Sequence, residues 1–259
     1  FGCGLDAVVT DQVQEIMHQR GRLYTCLKID QSLNLGAVRI RLRSLKAAIE
    51  ERGEETGSAK PIEYPKAVFT EAMKRDKDYT ILAPEMSPIH FPIIEAAVQR
   101  EGYHIEIIPP IHEDIDKGLS CVNNDACYPA IITIGSLMRA LTSGKYDLSK
   151  TAVMLSQTGG MCRASNYVGF LHKALDEAGL SDIPVISLNT HGFEPQPGFH
   201  FSLSMGRRMI QAVIYGDALQ QCLYRTRPYE KEPGSAETLC RRWQKRCIEA
   251  TLSGESYTS

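Results

Sequence analysis

The sequence predicts an α/β fold: a Rossmann-like parallel sheet with helices on both faces, a partial α/β segment before it and a helical tail after it. Three observations predict this. Between residues 79 and 188, four short apolar runs alternate with segments of helical period, the pattern of a parallel sheet. Gly102 and Gly179 stand where helices must stop, and Pro129 where one must start. Hydrophobic residues make up 43% of the chain and charged residues 23%, the balance of a globular domain with a core.

Asp6 to Arg20 has helical spacing, with Val9, Val13, Ile16 and Met17 on one face and Gly21 past its end. Leu23–Ile29 reads as a strand. Asn34 to Arg52 reads as a helix with Leu35, Val38, Leu42, Leu45 and Ile49 as its apolar stripe and Gly53 beyond it. Arg39, Arg41, Arg43 and Lys46 make one side of that helix basic. A solvated face is the ordinary reading; docking against an acidic partner or a phosphate-bearing ligand is the other. Residues 54–65 are polar, with Gly57, Ser58, Pro61 and Pro65, and read as a linker or long loop. Residues 1–65 are therefore expected to be the trailing part of an upstream α/β domain and its linker. The chain opens on Phe1 inside a dense motif, as expected of a piece of a longer polypeptide.

The α/β domain is expected over 66–230. Tyr79–Ala83 reads as a strand, Pro88 to Arg100 as a helix and His104–Ile108 as a second strand. Asp114–Gly118 reads as a short helical turn and Pro129 to Leu141 as a helix. Thr151–Ser156 is a strand, Ala164 to Ala178 a helix and Pro184–Leu188 a strand. Phe201 to Tyr224 reads as a further helix. In the tail, 231–259, Glu237 to Leu252 is amphipathic and carries the one tryptophan, Trp243.

Several function classes recede on composition. The net charge of -2 gives no nucleic-acid surface. No apolar run has the length of a membrane span. The opening residues do not read as a secretory signal. The eight cysteines are therefore expected to be reduced, in a cytoplasmic setting. No CxxC pair occurs, so a zinc ribbon or thioredoxin-type site is not expected.

In open parallel sheets, ligands bind beyond the carboxyl ends of the strands, where loops enter helices. Three cysteines fall at such places: Cys3 in Gly2-Cys3-Gly4, Cys127 just before Pro129, and Cys162 after Gly159-Gly160. Each precedes a predicted helix, whose unpaired N–H groups favour an anion by about 0.3–1 kcal/mol. A thiolate is the metal-binding form of cysteine, and N–H donors near a cluster's sulfur tune its potential. The ordinary alternative is that all three only pack. Cys26 in a strand and Cys222 in a helix read as small buried hydrophobes, and Cys240 and Cys247 as structural or exposed tail residues. Cys121 lies six residues before Cys127 but has no glycine or helix start around it.

Polar residues share the predicted loops: Ser87, His90, Asn123, Asn124, Asp125, Gln157, Thr158 and Arg163. Among these Ser87, His90, Asn124, Gln157 and Arg163 are the candidates for substrate binding. Turn formation and helix capping are the ordinary roles for such residues. Thr158-Gly159-Gly160 lacks the lysine of a phosphate loop. Arg225, Arg227 and Lys231 read as surface residues, with a CoA phosphate contact as the alternative.

The motifs FGCGLDAVVTDQVQEI, LKIDQSLNLGAVRIRLRSLKAA, ILAPEMSPIHF, NNDACYPAIITIG, LSQTGGMCRASNY and RPYEKEPGSA carry a family resemblance. Through nearly its whole length the chain resembles the C-terminal portion of the large fused 2-hydroxyacyl-CoA dehydratase activases, relatives of the dehydratase iron–sulfur component. The resemblance implies ATP-dependent activase domains upstream in the same polypeptide. It implies Rossmann-like domains that hold a [4Fe–4S] cluster by cysteines: Cys3 from FGCG, Cys127 from NNDACYP and Cys162 from TGGMCR. Such clusters can have three cysteine ligands and one open iron. The implied chemistry is reductive: one low-potential electron enters the carbonyl of an acyl-CoA thioester, and the resulting ketyl radical anion expels the neighbouring hydroxyl. Two alternatives stay open at this point: a non-catalytic docking or scaffold region of the activase, and a cluster-dependent reductase of another small molecule.

Overall fold

The structure, a computed structural model, describes residues 5–27, 35–52, 67–122, 126–156, 164, 167–188 and 196–254. Helices α1 (Leu5–Gln19), α2 (Leu35–Arg52) and α3 (Glu71–Arg75) come first. Then follow β1 (Thr80–Pro84), α4 (Phe91–Gln99), β2 (Ile105–Ile108), α5 (Glu113–Cys121) and α6 (Tyr128–Thr142). The chain continues with β3 (Thr151–Ser156), α7 (Tyr167–Glu177), β4 (Val185–Leu188), α8 (Leu203–Thr226) and α9 (Ser235–Ser253).

The four strands form one parallel sheet in the order β2-β1-β3-β4. Ile81 faces Ile105 on one side and Ala152 on the other, and Met154 faces Ile186. A parallel sheet is covered on both faces, so its strands are apolar runs rather than alternating ones. TILAP and TAVMLS fit that rule: Leu82, Ala83, Val153 and Leu155 are all buried.

Successive side chains still point to opposite faces. Leu82, Val153, Leu155 and Val185 pack with α6 and α7 through Leu137, Ile134, Leu171 and Leu175. Ile81, Ala152, Met154 and Ile186 pack with Val98 of α4 and Met205 of α8. Helix α9 lies against α4 and α8. Full burial of each such aliphatic side chain contributes roughly 1.5–3 kcal/mol.

The chain moves from β1 outward to β2, then crosses to β3 on the other flank of β1. The topological switch therefore lies between β1 and β3. In the β2–β3 crossover, α5 packs on α6 at close range. A Cβ on Gly135 of α6 would sit 1.9 Å from the Asp114 carbonyl oxygen, so no larger residue fits there. Asp114 is fully buried at this crossing. It accepts from the Ile111 N–H at 2.8 Å and pairs with Arg139, which also donates to Pro109 O at 3.1 Å.

Three expectations change. Residues 23–27 form no strand, and 28 and 29 lie outside the described residues. A strand needs a hydrogen-bonded neighbour, and residues 23–27 pair with neither of the described edge strands, β2 or β4. The predicted turn at 114–118 is a nine-residue helix, α5, anchored by the buried Asp114. On α2, Leu35, Leu42 and Ile49 of the predicted apolar stripe are exposed. No described helix is long and apolar enough to cross a membrane.

Candidate functional site

The loop after β1 and the starts of α6 and α7 all lie at the carboxyl edge of the sheet, the α6 and α7 starts on one face and the α4 start on the other. Cys127 is the N-cap residue of α6, with φ -69° and ψ 150°, and Pro129 occupies the first turn behind it. Its extended backbone ends the preceding loop, and the proline's fixed φ suits the helix start. The thiol is half-buried against the core cluster of α6 and α7. Its Sγ lies 3.0 Å from the Tyr167 Oη at the start of α7. Tyr167 is itself buried, so the two helix starts are joined by a sulfur–hydroxyl contact.

β3 ends at Ser156 and α7 begins at Tyr167; Gln157, Cys162 and Arg163 fall between them, outside the described residues. Cys3 and Asn124 also lie outside them. Among the described residues no three His, Cys, Asp or Glu side chains are grouped to hold a metal ion. One of the three expected cluster ligands is thus placed. Its chemistry fits the role: a half-buried thiol at a helix start, where α6 receives no side-chain cap.

The other cysteines separate by environment. Cys121 ends α5, half-buried, with Sγ 3.7 Å from Ser120 Oγ. Cys240 is buried and Cys247 half-buried, and burial raises both thiol pKa values. Cys222, expected to be a buried hydrophobe, is exposed, at the rim of an open apolar cleft between α8 and α9 that Leu219, Cys240 and Trp243 also line. Cys26 is half-buried, and its carbonyl accepts from Arg41 at 2.9 Å.

The loop after β1 carries a second group of polar atoms. Ser87 Oγ is 2.8 Å from His90 Nδ1, and His90 Nε2 is 3.1 Å from Asp217 Oδ1 on α8. Gln244 of α9 donates to the carbonyls of Pro88 and Ile89 at 2.7 and 3.0 Å, which holds this turn. Glu85 stands at its base, with its N–H bonded to Ile108 O at 2.9 Å and its carboxyl pKa raised by burial. Ser87 and His90, two of the expected substrate-binding residues, are therefore brought into contact. Asp217 completes the line and carries no sequence signal: it is a helical carboxylate 127 residues from His90 in sequence. The basic residues Arg225, Arg227 and Lys231 are exposed.

Comparison with protein-family models, with curated proteins and with solved structures finds no match.

Proposed function

We propose that this chain is the iron–sulfur, electron-accepting module of a system like the 2-hydroxyacyl-CoA dehydratases, reduced by an ATP-driven activase and acting on an acyl-CoA. The observation that supports it best is Cys127. It is a half-buried thiol at the start of α6, on the sheet edge where parallel folds bind ligands, with the Tyr167 hydroxyl 3.0 Å from its sulfur. A [4Fe–4S] cluster held by Cys3, Cys127 and Cys162 would supply single electrons at low potential. In this reading Tyr167 donates its hydroxyl hydrogen to the Cys127 sulfur and fixes its direction. Ser87 and His90 offer hydrogen bonds to the substrate carbonyl or hydroxyl from the neighbouring loop.

The test is reduction of the anaerobic protein by a purified activase component, followed by bleaching of the cluster's visible absorbance. Bleaching that requires ATP supports the reading; no ATP-dependent change overturns it. A docking role without chemistry is the second reading. It is favoured by the exposed apolar side chains of Phe201, just before α8, and of Leu203, Ile210 and Ile214 along its first half. It expects complex formation with the activase from protein that holds no iron.

A further inference from the structure

We propose that Ser87 is a nucleophile toward activated acyl groups, with His90 as its general base and Asp217 as the residue that orients His90. This goes beyond the cluster reading and does not depend on it.

The hydrogen-bond directions follow from the donor inventory. An ionised Asp217 carboxylate only accepts, so His90 Nε2 must carry the hydrogen of the 3.1 Å contact. In the neutral ring Nδ1 then holds the lone pair, and the Ser87 hydroxyl donates to it across 2.8 Å. The serine proton is thus aimed at a base whose tautomer is set from behind. These are the roles by which a serine hydroxyl becomes a nucleophile, with the two ring nitrogens exchanged relative to the usual triad: Nδ1 faces the serine and Nε2 the carboxylate.

Independent features hold the arrangement. The His90 ring lies on Gly216 of α8, where a Cβ would stand 2.2 Å from the ring Cδ2. The glycine therefore lets the imidazole lie against the helix backbone, with only 13% of the side chain exposed. Gln244 ties the turn between the two residues to α9. The Ser87 carbonyl accepts from the Phe91 N–H at 3.0 Å, which fixes the serine backbone at the entry to α4. The turn leaves the carboxyl end of β1, beside the topological switch, which is the edge of the sheet where such folds bind ligands.

The chemistry balances. Ser87 Oγ forms a bond to the carbonyl carbon of an ester or thioester while its proton passes to His90 Nδ1. The bond from that carbon to the leaving oxygen or sulfur then breaks, and the leaving group takes the proton from His90. A water molecule, deprotonated by the same nitrogen, attacks the acyl-serine; Ser87 recovers its proton and the acid is released. Asp217 is 72% exposed, so it orients the ring in water and contributes less than a buried carboxylate does.

The test is labelling of the full chain with a fluorophosphonate, read by intact mass and peptide mapping. The expected result is a single adduct on Ser87, absent in Ser87→Ala and in His90→Ala. Asp217→Asn, a change at an exposed position, is expected to slow labelling by about tenfold. Circular dichroism melting of each variant reports whether the fold is kept. The proposal is overturned by an unlabelled parent chain, or by an adduct that persists in Ser87→Ala. It is equally overturned if Asp217→Asn, folded as the parent, labels at the parent rate. Labelling needs no iron, so this outcome and the fate of the cluster reading are distinguishable.

Discussion

Cys127 Sγ and Tyr167 Oη meet at 3.0 Å and join the start of α6 to the start of α7, 40 residues apart in sequence. Tyr167 is buried beside its half-buried partner, so its hydroxyl depends on protein partners rather than bulk water. Tyr167→Phe is expected to cost about 1 kcal/mol in urea unfolding of the iron-free chain. With a cluster bound, the same change is expected to shift its reduction potential while iron content stays at the parent level. An unchanged potential would separate Tyr167 from the cluster.

Gly216 and Gly169 make a paired test of the His90 cradle. Both are helical, and Gly→Ala in a helix normally stabilises by roughly 0.5–1 kcal/mol. A Cβ at Gly169 meets nothing within 4 Å, so Gly169→Ala should show that gain. A Cβ at Gly216 would collide with the His90 ring at 2.2 Å. Gly216→Ala should therefore destabilise, by about 1–3 kcal/mol. Thermal melts of the two variants should move in opposite directions.

The buried Asp114 depends on Arg139. The carboxylate is fully buried, whereas the arginine side chain is 31% exposed. Arg139→Ala leaves the charge without its counterion, and breaking such a pair costs about 3 kcal/mol. The loss should fall on α5 first, because Asp114 also anchors the N–H of Ile111 at that helix's start. Hydrogen exchange should show opening of α5 before the sheet.

Two carboxyls set a pH dependence. Burial raises the pKa of Glu95 above its ordinary 4.5, with the Ile107 N–H pulling the other way, and burial likewise raises Glu85. A raised carboxyl binds its proton more tightly in the folded state. Its contribution therefore falls as pH climbs from the ordinary value through the raised one, and stays lower at neutral pH. Glu95→Gln removes the charge and keeps an acceptor oxygen. It should raise the melting temperature at neutral pH and give no such gain below about pH 4, where the carboxyl is protonated in both states.

Much of the fold is legible in the residues themselves. TAVMLS at 151–156 reads as a buried strand because apolar side chains occupy both faces, and the structure places β3 over those same residues. The helix stops at Gly102 and Gly179 are legible because both glycines take positive φ. The run at 23–27 misleads because β-forming composition does not by itself pair a segment with a sheet. At the site, Cys127 is legible from Pro129 behind it, and Ser87 and His90 from their place after a strand. Asp217 is not, because only the packing of α8 on α4 brings it to His90.

Iron and acid-labile sulfide, measured in protein purified without oxygen, decide whether the chain holds a cluster. Cys127→Ala and Cys162→Ala are prepared beside the parent, and EPR spectra are recorded on all three. About four irons and four sulfides per parent chain are expected, lost in both variants. A parent chain without iron, or iron that survives both substitutions, would contradict the cluster reading.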